Sequence, residues 1–235
     1  MYAERLRETL PHVRETIERA CARAGRSSDE VTLVAVTKSH PFEVIRAALD
    51  AGLHDLGENR VGELSDKVAE FGRPEGLRWH MIGGIQSRKA STLPGLADLV
   101  QSVDRLKVAR KLSGAAGDEG VAVLAQVNTS GEDAKGGFEG ERVVEEILEV
   151  AELEGLRLEG LMTMAPFVED EAILRATFSG LRETLDRVRR HRPGVGHTLS
   201  MGMTNDLEIA IEEGSTMVRI GTALFGERPG YEGAG

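Results

Sequence analysis

A single cysteine, Cys21, occurs among the 235 residues, so no internal disulfide can form. That usage suits a reducing compartment, and a cytoplasmic location is the expectation. Positive charge is in deficit: 29 Lys and Arg stand against 39 Asp and Glu, for a formal net charge of -10. A nucleic-acid footprint is not expected from that balance. No uninterrupted apolar run approaches about 18 residues, so no membrane-spanning helix is expected. The opening MYAERLRETL is charged from Glu4 onward and has no apolar h-region, so no signal peptide is expected. No Cys/His cluster has metal-ligand spacing, and no metal site is expected. What the chain does have is ordinary for a globular protein: 40% hydrophobic and 29% charged residues, in a length that suits one α/β barrel.

The organisation is repetitive. Leu6, Leu10, Val13, Ile17 and Cys21 form one apolar stripe of an opening helix, which Pro11 interrupts or begins. Eight short β-type runs follow, at 31–38, 55–58, 77–83, 99–103, 121–128, 158–164, 197–200 and 217–221. Each of the first seven is trailed by a helical segment. Such alternation predicts a (β/α)₈ barrel with an extra N-terminal helix. A doubly wound sheet is the alternative, but the first strand runs into Thr37-Lys38-Ser39-His40-Pro41, without the glycines such a sheet places there. Residues 1–228 read as one domain and 229–235 as a flexible tail.

In a barrel the chemistry lies at the C-terminal ends of the strands. Val34, Val36 and Lys38 alternate onto one face, which would put an amine over an apolar floor, suited to a Schiff base. The alternative is a strand-end lysine reaching into water. Met217, Arg219 and Gly221 share a face of the last run, so a second cation enters the same mouth. Two uncompensated cations there make sense with an anionic ligand. Ser200-Met201-Gly202-Met203-Thr204 and Gly221-Thr222-Ala223 are glycine-bearing loops of the kind that hold a phosphate. Glu58-Asn59 and Asn128 add polar strand ends. His80 reads equally as a ligand or a satisfied core histidine. Met162 reads as pocket wall or core, and Trp79 as packing.

Several segments carry a resemblance: VAVTK (34–38), LGENRVGE (56–63), WHMIGGIQSRK (79–89), GLMTMAP (160–166), LSMGMTNDLEIAI (199–211) and GSTMVRIGTALFG (214–226). In order, and over nearly the whole chain, they resemble the pyridoxal phosphate homeostasis protein family. The resemblance implies a single-domain barrel of the alanine racemase N-terminal type. It also implies pyridoxal 5'-phosphate held as an aldimine on Lys38, with Arg219 facing the pyridine nitrogen. Ser200, Gly221 and Thr222 would hold the phosphate, Met201 would also bind the cofactor, and Asn59 would line the ring pocket, with His80 and Met162 as further pocket candidates. Gly84 and Arg88 depart from the family's usual residues.

A guanidinium on the ring nitrogen accepts no proton, which leaves the cofactor a weak electron sink. Related racemases take a second base, a tyrosine, from a separate C-terminal domain; the only tyrosines here are Tyr2 and Tyr231. The expectation is therefore a cofactor-binding protein of pyridoxal phosphate homeostasis with little or no turnover. Its partners would be the cofactor and, transiently, pyridoxal-phosphate-dependent apo-enzymes, and its state a monomer or weak dimer. A slow amino-acid racemase and a cofactor-free Schiff-base aldolase are the alternatives.

Overall fold

The eight β-type runs close on themselves. In the computed structural model, which describes residues 1–132 and 136–227, they are β1 (Thr32–Val36), β2 (Asp55–Glu58), β3 (Arg78–Met81), β4 (Leu99–Val103), β5 (Val121–Gln126), β6 (Leu156–Met162), β7 (Thr198–Ser200) and β8 (Met217–Ile220). They pair in parallel and in chain order, and β8 returns to β1 with Val34 opposite Arg219. The expected (β/α)₈ barrel is the observed fold. The proposed tail at 229–235 lies outside the described residues.

The helices follow from amphipathic runs between the strands: α1 (Tyr2–Arg23), α2 (Glu43–Asp50), α3 (Val61–Phe71), the single turn α4 (Ser87–Ala90), α5 (Leu106–Ser113), α6 (Val143–Glu152), α7 (Glu171–His191), α8 (Leu207–Glu212) and the single turn α9 (Thr222–Phe225). Alternation divides each strand. Ala35, Leu56, Val218 and Ile220 join the core between strands and helices. Val34, Val36, Ile82, Leu124, Met162 and Met217 are buried outside that cluster and fill the barrel interior. Trp79 is fully buried, with its indole N–H donating to the Gly72 carbonyl at 3.1 Å. Cys21 is buried on α1.

Two sequence expectations change. Pro11 neither interrupts nor starts a helix, for α1 runs through it. One backbone bond is lost there, but α1 packs along α2, α8 and α9, and Thr9 Oγ1 donates to the Leu224 carbonyl at 2.9 Å. Tertiary contact outweighs local propensity. The first strand also ends early. Its ladder continues through the Thr37 N–H to the Gly57 carbonyl, but the Thr37 carbonyl is taken by the Lys67 ammonium at 2.8 Å. A side chain thus occupies the acceptor that strand pairing would need, and Lys38 falls in a turn rather than on a strand.

Candidate functional site

The C-terminal ends of β7, β8 and β1 are neighbours, so three of the sequence's candidate segments meet in one mouth. Lys38 is half-buried in the turn after β1. Arg219 is 5% exposed on β8. Its Nη1 donates to Ser200 Oγ at 2.7 Å and its Nη2 to the Thr163 carbonyl at 2.8 Å. Both acceptors are neutral. Burial pulls the Arg219 guanidinium down to about 10, while Asp206 works in the opposite direction; at neutral pH it is still a cation. Gly221 lies against β1: a Cβ there would stand 3.2 Å from the Val36 carbonyl oxygen. Thr222 is exposed at the first turn of α9, where the Leu224 and Phe225 N–H groups both donate to the Gly221 carbonyl at 2.9 Å. Gly202 has φ +100, and a Cβ on it would meet Ala210 Cβ at 2.7 Å, so only glycine fits this loop.

A directional chain of hydrogen bonds runs from this cation through the barrel interior. Ser200 Oγ donates to Gln101 Oε1 at 2.6 Å. Gln101 Nε2 then faces His80 Nδ1 at 2.8 Å, and His80 Nε2 faces Asp55 Oδ1 at 2.9 Å. With the Gln101 oxygen accepting, its amide must donate to Nδ1, which puts the His80 proton on Nε2, toward Asp55. Burial opposes ionisation of Asp55, but bonds from His80 and Arg78 outweigh it and hold its carboxyl below the usual range. Arg219 is thereby linked, through neutral groups, to a carboxylate at the far end of the barrel.

That chain separates residues the sequence reading had grouped. His80 does not face the mouth. It lines a cavity of about 420 Å³ at the N-terminal end, with Thr32, Leu99, Thr198 and Met217. Met201 turns away too: its side chain joins the helix–strand core and its N–H donates to the Met217 carbonyl at 3.1 Å. Met162 is fully buried in the interior, beside Ser200 in the β6–β7 ladder. Asn59 is exposed just after β2, and Gly83 makes its position possible: a Cβ on Gly83 would fall 2.2 Å from the Asn59 carbonyl oxygen. Asn128 is occupied in its own loop, donating to Glu139 Oε2 at 2.8 Å. Gly84 and Arg88 are both exposed, and no atom crowds a Cβ at Gly84. Among the described residues, no group of three or more His, Cys, Asp or Glu could hold a metal ion.

Sequence reasoning missed Gln101 and Lys67. Lys67 is 1% exposed, and its Nζ donates to Glu58 Oε1 at 2.7 Å and Glu63 Oε1 at 2.9 Å as well as to Thr37. Its signal was an i, i+4 spacing from Glu63, which usually marks a solvated helix face. Glu58 is fully buried, and its Oε2 has no partner among the described residues. Burial pushes the Glu58 carboxyl up to about 7, against the pull of Lys67 and Thr37. A carboxyl raised on folding contributes stability that is full below its unfolded pKa and is lost as pH rises through the folded value. Urea-unfolding free energy is expected to fall between about pH 4.5 and 7, by up to about 3 kcal/mol. Glu58→Gln should remove that slope; an identical pH profile in the variant refutes the assignment.

A closed parallel barrel with an amine, a guanidinium and glycine loops at one mouth defines a class. Residues 9–229 match the family described as "Alanine racemase, N-terminal domain". A protein of Aquifex aeolicus (strain VF5), named "Pyridoxal phosphate homeostasis protein", is 42% identical over 223 residues, covering 94% of this chain and 97% of its own. The chain belongs to the pyridoxal phosphate homeostasis protein family. The structure of PipY from Synechococcus elongatus PCC7942, with PLP bound, superposes with a TM-score of 0.79 at 33% identity, covering 90% of this chain and 100% of that one. A crystal structure of a protein from Bifidobacterium adolescentis gives a TM-score of 0.90 at 36% identity, covering 95% and 96% of the two chains. No helix among the described residues is long and apolar enough to cross a membrane.

Proposed function

We propose that this protein binds pyridoxal 5'-phosphate in the C-terminal mouth of its barrel, linked covalently to Lys38. In this reading it takes part in homeostasis of the cofactor in the cytoplasm, with little or no turnover of its own. The observation that carries the reading is the convergence of the Lys38 turn, the buried Arg219 and the glycine loops at 202 and 221. That donor set fits a phosphorylated aldehyde: an amine for the carbonyl, and a guanidinium and backbone N–H groups for negative charge.

Bound pyridoxal phosphate supplies an electrophilic aldehyde and an electron-withdrawing ring. Lys38 would supply the amine for covalent attachment at that aldehyde carbon. Thr222 and the loops at 202 and 221 would hold the phosphate. An anion there competes with Gln101 for the Ser200 hydroxyl proton, and a charged acceptor is the stronger of the two. Arg219 would face the ring as a donor and offers no carboxylate to keep a ring nitrogen protonated. A racemase needs a second base opposite Lys38. His80 stands at the other end of the barrel, and the Tyr2 hydroxyl is bonded to His40 Nδ1 at 3.1 Å. Tyr231 lies outside the described residues. These placements favour a holder of the cofactor, with apo-enzymes as transient recipients.

The absorbance of the purified protein tests the reading: a visible band lost on borohydride reduction is expected, and a colourless protein that takes up no cofactor rejects it. Ser200→Ala and Thr222→Val are each expected to weaken binding of the phosphate ester by about 1.5–3 kcal/mol while affecting unphosphorylated pyridoxal less. Equal losses for both ligands, measured by titration, would place the phosphate elsewhere.

A further inference from the structure

Lysine is rarely fully buried, yet Lys67 is, with all three of its donors engaged. Its partners explain why. One is the Thr37 carbonyl, immediately before Lys38. Another is Glu63 Oε1, which also accepts the Ser39 N–H, immediately after Lys38, at 2.5 Å. The third is Glu58, itself bonded to Thr37 Oγ1 at 2.5 Å. Ser39 has φ +62 and is the only described residue other than glycine with a positive φ. A side chain rarely adopts that conformation unless its surroundings impose it. Here the imposing group is Glu63, anchored in turn by Lys67. The turn is backed on its other side by His40, which meets Tyr2 and the Phe225 ring.

We propose that Lys67 and Glu63 form a clamp on the peptide groups either side of Lys38, and that this clamp positions the Lys38 amine for covalent attachment. The proposal rests on the reading of Lys38 as the attachment residue. Lys67 and Glu63 touch no ligand in this scheme; they are positioning residues that act through the backbone. A clamp of this kind governs the covalent step and leaves the phosphate and ring contacts alone. A bolt that merely ties α3 to the barrel would, when removed, loosen everything together.

The test uses the full chain stripped of cofactor. The rate of covalent attachment is followed by absorbance after mixing with pyridoxal phosphate. Affinity is measured separately for pyridoxine 5'-phosphate, which carries an alcohol in place of the aldehyde. Glu63 has a side chain 21% exposed, so Glu63→Ala is the first variant. It should slow attachment about tenfold or more, with analogue affinity within about twofold of wild type, if the clamp is worth a typical charge-assisted bond. Glu63→Gln keeps an acceptor for the Ser39 N–H and should attach at nearly the wild-type rate. Lys67→Met, read in the same two assays, should slow attachment further. Wild-type attachment in Glu63→Ala, parallel loss of both readouts, or Glu63→Gln as slow as Glu63→Ala would each overturn the clamp. A wild-type protein that forms no reducible adduct would overturn the parent reading, and is distinguished by that first control.

Discussion

Lys38→Ala is expected to abolish the reducible visible absorbance completely while the protein stays folded. The expectation follows from where the other lysines lie. Lys67 is the nearest in the fold, but its ammonium is locked on Thr37, Glu58 and Glu63. Lys89 lies in α4, and Lys107 and Lys111 in α5; Lys135 is outside the described residues. Lys38 is half-buried in a turn, so the truncation leaves little cavity and should change the melting temperature of the cofactor-free protein by no more than a few degrees. The proposed phosphate contacts do not involve Lys38, so weak non-covalent binding of the cofactor should persist. Borohydride treatment followed by peptide mass analysis reads the outcome directly. A Lys38→Ala protein that still traps the cofactor covalently at normal affinity removes the assignment.

Arg219→Glu should change what the bound cofactor does. Arg219 is the head of the hydrogen-bond chain that ends on Asp55, and it donates to the neutral oxygens of Ser200 and Thr163. With glutamate in its place, a carboxylate stands where a ring nitrogen could share a proton, and the cofactor's electron sink strengthens. Conversion of bound pyridoxal phosphate to pyridoxamine phosphate by added amino acids should then rise from near zero. The substitution also puts a negative charge near the phosphate and leaves the Thr163 carbonyl without its donor. Binding should weaken, by roughly a hundredfold if one charge-assisted contact is lost at about 3 kcal/mol, so saturating cofactor is required. The sequence left open that Arg219 pairs with Glu58 and never meets the ring. The geometry separates them, since Glu58 is bonded to Lys67 and Thr37. A folded, fully loaded Arg219→Glu protein with no gain in pyridoxamine phosphate would remove the role assigned to this residue.

Much of the candidate site was legible because barrels concentrate chemistry at strand ends, and strand ends can be read from alternation. Lys38, Ser200, Arg219, Gly221 and Thr222 were found that way, and they do meet at adjacent strands. Where alternation was extended one turn too far, it misled. Lys38 was placed on a strand face with Val34 and Val36, although the strand ends at Val36. Position along a strand also says little about which end of the barrel a residue serves. His80 was within reach of the mouth on paper, yet its ring faces the opposite cavity.

Order and spacing alone determined the architecture. Eight apolar runs of strand length, separated by amphipathic helical segments, have few ways to bury both sheet faces, and a closed parallel barrel is one of them. The same spacing determined which loops share the mouth, since neighbours in sequence become neighbours in the ring. Tertiary structure alone decided the electrostatics. Lys67 lies 30 residues from Thr37, Gln101 lies 99 from Ser200, and no periodicity records such pairings. A buried lysine and an exposed one occupy the same helical pattern. Only the fold, by closing water out around Glu58 and Arg219, decided which charges must find each other inside it.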